Sequence, residues 1–256
     1  SLMRADFTTQ EYPPHIQEPL VVAVTENVGS VVKSRGQVEE ATPATLFVFN
    51  PAEPHAGWMG WSERWQYRSM YLTQAALDQL AAGLGIARVP YFTHNIFADR
   101  DLIEAFMAMH CAIEEGRDVF RERELLVGSF GRLFQRHGSG GSRIPPAPVD
   151  RQLLARAKDR MHADYASELK LEDLAAEVGL TTFQLIGLFK RTVGLTPHAY
   201  LTQVRLNMAC RRLRHAPALA DVATGVGFYD QSALNKHFKR CYGITPSQFA
   251  RAAAAA

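Results

Sequence analysis

An internal repeat in the C-terminal half of the sequence constrains the fold more than any other feature. The two copies stand 48 residues apart where they begin and 49 residues apart where they end. The matched pairs are Leu174-Ala175 with Val222-Ala223, Val178-Gly179 with Val226-Gly227, Phe189-Lys190-Arg191 with Phe238-Lys239-Arg240, Gly194 with Gly243, and Thr196-Pro197 with Thr245-Pro246. Because the same glycines and prolines recur in one register, the sequence predicts one supersecondary unit built twice.

Each copy of the repeat predicts a short helix, a tight turn at Gly179 or Gly227, a second helix, and a further helix opened by Thr-Pro. The threonine supplies an N-cap oxygen and the proline pre-sets the first helical turn. In the second copy Gln248 adds a capping box with Thr245. Two helices joined by a glycine turn form a helix-turn-helix unit, whose second helix can enter the major groove of B-DNA.

The segment between the two units predicts a long connecting helix over His198–Arg214. Its apolar residues recur at helical spacing, and its 17 residues span about 25 Å. Adjacent major-groove faces on one side of the duplex lie ~34 Å apart. A rigid helix of this length can hold two recognition helices near adjacent major grooves.

Charge and composition divide the chain near Gly138. Residues 1–137 contain 12 Lys and Arg against 17 Asp and Glu, whereas residues 138–256 contain 16 against 9. A basic half joined to an acidic half is typical of a protein in which one domain meets a polyanion. The boundary is rich in Gly, Ser and Pro, which predicts a linker over 138–150 between domains at 1–137 and 151–256.

The N-terminal half predicts a compact all-β unit followed by a helical hairpin. Short β-rich pieces separated by Pro and Gly cover Leu20–Thr25, Ser30–Lys33, Thr45–Phe49 and Trp65–Leu72. Helical periodicity follows over Asp101–Glu115 and, less regularly, over Asp118–Arg136. This hairpin either closes the open end of a small barrel or offers a surface to a second subunit, and the pattern leaves both open.

The repeat also carries a family resemblance. Leu171–Phe249 resembles the tandem helix-turn-helix domain of the AraC/XylS transcription regulators, and Asp221–Phe249 is similar to the family signature nearly from end to end. Tyr200-Leu201 and Arg205-Leu206 in the first copy fit as well. Residues 42–55, which end in Pro-His, resemble a segment of the family's cupin-like effector domain. The resemblance implies an α+β protein of two domains: an N-terminal cupin-like β-barrel with a helical hairpin, and a C-terminal all-α tandem helix-turn-helix domain joined by a long helix.

The division of the second recognition helix into a core face and an outward face predicts which side chains reach DNA. Leu234 and Phe238 are four residues apart and point to the core. The outward residues predicted to contact bases are Gln231, Ser232, Asn235 and Lys236, and those predicted to contact phosphates are Lys190, Arg191, Lys239 and Arg240. Gln and Asn suit the paired donor and acceptor of adenine, and Lys suits the acceptors of guanine.

The first unit has fewer donors, because Ile186 and Gly187 stand where the second unit has Asn235 and Lys236. Its candidates for DNA contact are Thr181, Thr182 and Gln184, with Phe183 and Ile186 available for thymine methyl groups. Gly187 costs its helix ~1 kcal/mol relative to Ala, which a close approach to the DNA backbone would explain. The sequence therefore predicts unequal base readout by the two units.

The N-terminal domain offers candidates for an effector site. These candidates are His15, Glu26, Trp65 and Tyr67, and for Trp65 and Tyr67 the alternative, which the sequence favours, is a packing role in the core. His15 and His55 lack the HxH pair, the following Glu and the distant His of metal-binding cupins, so we expect no metal and no other cofactor. No Gly-x-Ser-x-Gly elbow is present, which argues against a nucleophilic enzyme. The three cysteines show no CxxC spacing and are expected to be reduced.

Three hypotheses describe the whole chain. The first is a sequence-specific, effector-responsive transcription regulator; the second is a DNA-binding protein whose barrel is only a dimerisation module; the third is a metal-dependent cupin enzyme with a DNA-binding tail. The first, which we favour, implies that the protein is not an enzyme. It implies as partners double-stranded DNA, a small-molecule effector of unknown identity and, for an activator, RNA polymerase.

Assembly and location complete the expectations. The helical hairpin carries more apolar positions than one side of a small barrel would cover, which favours a homodimer. These positions include Phe106, Met109, Val127 and Phe130. No apolar run approaches the ~18–20 residues needed to span a bilayer, so we expect no membrane partner and a cytoplasmic bacterial protein.

Overall fold

The computed structural model describes residues 1–9, 11–26, 30–41, 44–140, 143–215 and 218–254, with no side-chain description of Ala254. It contains two compact units. One comprises Ser1–Gly116 and Leu125–Pro145, and the other comprises Arg117–Glu124 and Pro146–Ala256. The expected fold class, a β-rich part followed by an all-helical part, is confirmed. Thr42 and Pro43 of the family-like segment 42–55, and Gly141 and Ser142 of the predicted linker, lie outside the described residues.

The strands of the first unit form two antiparallel sheets. In chain order they are β1 (Leu2–Phe7), β2 (Glu11–His15), β3 (Leu20–Thr25), β4 (Ser30–Ser34), β5 (Gln37–Ala41), β6 (Leu46–Phe49), β7 (His55–Met59), β8 (Trp65–Leu72) and β9 (Ile96–Phe97). Five strands pair in the order β1-β8-β3-β6-β9, and four pair in the order β2-β7-β4-β5. In the described residues the expected barrel is therefore built as two sheets rather than as one closed ring of strands.

Strand β3 shows how the layers are arranged, because every one of its residues is buried. Side chains alternate between the two faces of a strand. Val21 and Ala23 pack with Val32 of the four-stranded sheet, so they lie between the sheets. Val22 faces the other way, towards Phe106 and other apolar side chains of the helices. The five-stranded sheet is thus covered on both faces.

The helices of the first unit cover the outer face of that sheet. They are α1 (Gln74–Leu84), α2 (Arg100–Glu115) and α3 (Val119–His137), the last of which begins within the other unit. Phe106, Met109, Val127 and Phe130 are only 0–5% exposed. The premise that these residues form an uncovered apolar surface is wrong. The hairpin of α2 and α3 covers a sheet face, because the outward side chains of β3 and its neighbours are themselves apolar.

A buried carboxylate organises one end of the first unit. Glu53 pairs with Arg35 at 2.9 Å, and it accepts hydrogen bonds from the backbone and side chain of Asn50 at 3.0 and 2.6 Å. Ser34 and Asn95 donate to its other oxygen at 2.7 and 2.9 Å. These bonds hold the pKa of Glu53 at about 2 against the opposing effect of burial. The network joins β4, the loop before β7 and the segment leading to β9.

The second unit is helical throughout its described residues. Its helices are α4 (Arg151–Asp164), α5 (Leu171–Glu177), α6 (Thr182–Val193), α7 (Pro197–Leu213), α8 (Leu219–Gly225), α9 (Gln231–Tyr242) and α10 (Pro246–Ala254). The predicted repeat is confirmed, since α5 and α6 correspond to α8 and α9. The extra residue in the second copy lies in the turn, where the exposed Tyr229 is found. The predicted capping box of Thr245 and Gln248 is present.

Glycines close the two turns, and their surroundings differ. Gly179 has φ +72°, and a Cβ added there would meet no atom within 4 Å. Gly227 has φ +90°, and a Cβ added there would meet neighbouring atoms at short distance. A Cβ at Gly227 would lie 2.6 Å from the carbonyl oxygen of Tyr165 and 2.8 Å from Nε of Arg205. That Nε donates to the same oxygen at 2.8 Å. The second turn therefore depends on glycine for packing as well as for backbone conformation.

None of the helices in the described part of the chain is both long enough and apolar enough to cross a bilayer.

Candidate nucleic-acid interface and ligand cavity

Helix α9 presents a basic outward face. Its N-cap is Asp230, whose side chain accepts from the backbone N–H of Ala233 at 2.7 Å. Leu234 and Phe238 are fully buried, as predicted, which turns the opposite side of the helix to solvent. The exposed residues on that side are Ser232, Lys236, Lys239 and Arg240. A helix with two lysines, an arginine and a hydroxyl on one face can donate to base edges and to phosphates.

Two predicted contact residues lie at the edge of this face. Gln231 is exposed at the start of α9, while Asn235 is half-buried. The Oδ1 atom of Asn235 is buried and has no hydrogen-bond partner among the described residues. The sequence pattern placed Asn235 beside Lys236, but helical geometry turns it about 100° away, towards the core. Lys236 is therefore the better-presented side chain for base contact.

Helix α6 presents fewer of its predicted contact residues. Thr181 is the N-cap and accepts from the backbone N–H of Gln184 at 3.2 Å, while Gln184 accepts from the backbone N–H of Thr181 at 3.0 Å. Thr182 and Ile186 are each only 4% exposed. The structure therefore uses these residues to start and pack the helix. Lys190 and Arg191, the predicted phosphate contacts, lie exposed in its last turn.

The chain before α4 lies directly on α6. The Nε2 atom of Gln184 donates to the carbonyl oxygen of Pro146 at 3.1 Å, and Arg191 donates to that of Ala147. A Cβ at Gly187 would lie 2.7 Å from the Cβ of Ala147. Gly187 therefore makes room for the linker. The expectation that a close approach of the DNA backbone accounts for this glycine is not needed to explain it. No pattern in the sequence indicated the contact, because it joins residues about 40 positions apart.

A cavity of about 80 Å³ lies between the two sheets of the first unit. Its apolar wall includes Val21, Ala23, Val32, Phe47 and Phe49, and its polar wall includes Tyr12, His15, Gln17, His55, Trp65, Tyr67 and Ser69. Three of the four predicted effector residues, His15, Trp65 and Tyr67, thus line one space. Sequence reasoning missed Tyr12, Gln17 and Ser69. Ser69 could have been predicted, because it lies on the same face of β8 as Trp65 and Tyr67.

Among the described residues, the polar groups around the cavity include no Asp, Glu, Lys or Arg. The hydroxyls of Tyr12 and Tyr67 are 2.9 Å apart, and burial raises the pKa of Tyr67. The Nδ1 atom of His55 lies 2.9 Å from the carbonyl oxygen of Glu53, to which it can donate. Burial lowers the pKa of His55, so this ring is neutral near pH 7. The ring stacks on Phe49 with centroids 4.0 Å apart.

Glu26, the fourth predicted effector residue, does not line the cavity. It accepts from Nε of Arg68 at 2.5 Å, and Arg68 also donates to Glu114 at 2.6 Å. Arg68 lies on β8 between Tyr67 and Ser69 and therefore points to the opposite face. The structure gives Glu26 an ion-pairing role beside α2. In the described part of the chain no group of three or more His, Cys, Asp or Glu side chains is arranged to share a metal ion.

Comparison with known protein families identifies both units. Residues 174–252 match the helix-turn-helix domain model, and residues 1–130 match the AraC-like ligand binding domain model. The second match alone covers half of the chain. The chain belongs to the AraC family of transcriptional regulators. The sequence resemblance is thereby confirmed for both halves of this AraC-family protein.

Several individual proteins are similar to this chain. The chain is 25% identical to the HTH-type transcriptional regulator YbfI of Bacillus subtilis over 226 residues, which cover 88% of this chain and 82% of YbfI. It is 32% identical to the transcriptional activator RhaR of Escherichia coli over 49% of this chain and 45% of RhaR. Fatty acid-bound ToxT of Vibrio cholerae superposes over 98% of this chain and 94% of ToxT, with 10% identity and a TM-score of 0.41. By its two domain matches, this AraC-family protein is a transcription regulator with a ligand-binding domain and a helix-turn-helix domain.

Proposed function

We propose that the protein recognises its operator mainly through α9 and that a small molecule in the cavity of the first unit controls this binding. The observation that carries the proposal is the exposed face of α9, where Lys236, Lys239 and Arg240 stand opposite a buried core. Helix α6 repeats the same scaffold but shows no side chain at the position of Lys236. The two recognition helices then occupy adjacent major grooves with unequal base contact.

The proposal includes partners and location. We also propose a homodimer, because two chains would double the number of groove contacts. The apolar residues of the hairpin do not contribute to this argument, since they are buried against the sheet. For an activator, RNA polymerase is the second partner. A protein that binds the chromosome acts in the bacterial cytoplasm. The polar, aromatic cavity favours a ligand-binding first unit over a module that only dimerises, because such a module needs no lined cavity.

Replacing Lys236 and Lys239 separately tests the assignment of α9. The full chain first selects tight-binding duplexes from a random-sequence pool, and binding is then measured against salt concentration. Lys236→Ala should weaken the selected duplex by about 10- to 100-fold, which corresponds to ~1–3 kcal/mol, and relax the preference at one base position. Lys239→Ala should weaken all duplexes alike and lower the salt slope by about 1. The same titration should give two chains per operator.

Lys190→Ala in α6 is the matched control, because it changes the residue that corresponds to Lys239 in the first unit. It should weaken binding without altering the selected sequence. An equal loss of base preference from Lys190→Ala and Lys236→Ala would contradict the assignment. A folded chain that shows no salt-sensitive binding to any duplex would contradict the proposed function itself.

A further inference from the structure

The cavity of the first unit contains buried polar atoms without partners. Among the described residues, Gln17 Oε1, Trp65 Nε1 and Ser69 Oγ are buried and make no hydrogen bond, and all three residues line the cavity. A buried donor or acceptor left unpaired destabilises the folded chain, because it has lost its bond to water without replacing it. A bound molecule that pairs with them recovers this cost. The unpaired set contains a donor, an acceptor and a hydroxyl that can be either.

The charge of the cavity wall restricts that molecule further. Among the described residues that line the cavity, none is Asp, Glu, Lys or Arg. An ionised ligand would lose its hydration without gaining a carboxylate, ammonium or guanidinium partner from the cavity wall, which disfavours its binding. The volume of about 80 Å³ equals several water-sized groups, so the space suits a molecule of about one small ring. Phe47, Phe49 and Trp65 supply flat apolar walls for such a ring.

We infer that the effector is a small uncharged molecule of about one ring that carries a hydroxyl or carbonyl oxygen. This inference rests on the proposed function, since it names the class of ligand for the same cavity. Phenol, benzyl alcohol and cyclohexanone are neutral probes of this class. Benzoate and benzylammonium are charged counterparts that keep the ring. Calorimetry with the full chain should detect the neutral probes and show at least tenfold weaker binding of both charged ones.

Ser69→Ala is the variant that locates the site. Because Ser69 Oγ bonds to no described protein atom, its removal should leave the melting temperature of the ligand-free chain unchanged or raised. Probe affinity should fall about three- to tenfold. Ser30→Ala is the matched control, because Ser30 Oγ is also buried without a partner but does not line the cavity. It should leave probe affinity unchanged.

Separate outcomes decide the ligand class and the proposed function. Tighter binding of benzoate or benzylammonium, no binding of any neutral probe, or equal effects of Ser69→Ala and Ser30→Ala would overturn the ligand class. If the neutral probes bind as expected but leave operator affinity unchanged, the ligand class stands and control of DNA binding by this cavity is wrong.

A different observation, in the second unit, carries a second inference. At the offset of 49 residues, Gly187 of α6 corresponds to Lys236, which lies in the middle of the outward face of α9. Ala147 occupies the space above Gly187, while Pro146 and Ala147 accept hydrogen bonds from Gln184 and Arg191 on either side. The linker thus lies where the duplex would contact α6. We propose that the linker and DNA compete for this face.

Two substitutions should weaken the contact between the linker and α6, one made on the helix and the other on the linker. Gly187→Ala places a methyl group 2.7 Å from the Cβ of Ala147, and Ala147→Leu enlarges the linker side chain above the glycine. Each should raise operator affinity about three- to tenfold in the full chain, and the double variant should add little more.

Gly128→Ala in α3 is the matched control for the change in helix propensity, because a Cβ there meets no atom within 4 Å. It should leave operator affinity unchanged. Unchanged or lowered affinity in both linker variants, with wild-type circular dichroism, would overturn the competition.

Discussion

Gly227→Ala should destabilise the second unit by about 3 kcal/mol or more, whereas Gly179→Ala at the equivalent turn of the first repeat should cost only about 1–2 kcal/mol. Both glycines have positive φ, and an alanine there costs ~1–2 kcal/mol. Only at Gly227 does the new Cβ meet the Tyr165 carbonyl and Arg205, so their hydrogen bond must break, at about 1–3 kcal/mol. Circular dichroism at 222 nm during thermal unfolding measures the difference.

Gly243→Ala is a second control, because that residue has φ +76° and no neighbour within 4 Å of the added Cβ. Its melting temperature should match that of Gly179→Ala, and Gly227→Ala should melt more than about 10 °C below wild type. Melting curves that coincide for all three variants would show that the close contacts of Tyr165 and Arg205 with Gly227 do not contribute to stability.

Glu53→Gln should destabilise the first unit by about 3 kcal/mol at neutral pH. The folded-state pKa of Glu53 is about 2, compared with an ordinary value of 4.5, and each pKa unit corresponds to ~1.4 kcal/mol. Because the folded pKa is depressed, this stabilisation is fully present above about pH 4.5 and is lost as the pH falls towards 2. The variant keeps the shape of the side chain but lacks the charge that pairs with Arg35.

Tryptophan fluorescence isolates this effect, because all three tryptophans, Trp58, Trp61 and Trp65, lie in the first unit. In urea unfolding at several pH values, the stability gap between wild type and Glu53→Gln should close as the pH falls from about 4.5 to 2. Glu39→Gln on the exposed strand β5 is the control and should follow wild type throughout. A gap that stays constant with pH would mean that the Glu53 charge contributes nothing.

The second unit could be predicted almost completely because its signals are local. Threonine N-caps, Pro197 and the glycines at helix ends act within one turn of the chain, so the sequence carries them directly. The prediction for His198–Arg214 differs by one residue from α7. In the first unit, capping residues of the same kind mark α1, where Thr73 is the N-cap and Gly85 the C-cap. The predicted elements nevertheless do not include this helix.

The remainder of the first unit depends on contacts between distant residues. Strand β2 contains two prolines and is half exposed, and β7 contains Gly57 and His55, so neither shows a β-rich alternation. Both form because they pair with each other, and β7 pairs with β4 as well. Glu26 was misplaced for the same reason: its position beside Arg68 follows from the pairing of β3 with β8, which no short pattern specifies.

Strand β8 belongs to two environments at once. Trp65, Tyr67 and Ser69 border the cavity, and Arg68, between them, is tied to Glu114 of α2 at 2.6 Å. Because Arg68 directly follows Tyr67 and precedes Ser69 on one backbone, the cavity wall and the anchor of α2 are built from neighbouring residues. One strand thus connects the space between the two sheets with the helical layer on the outer face of the five-stranded sheet.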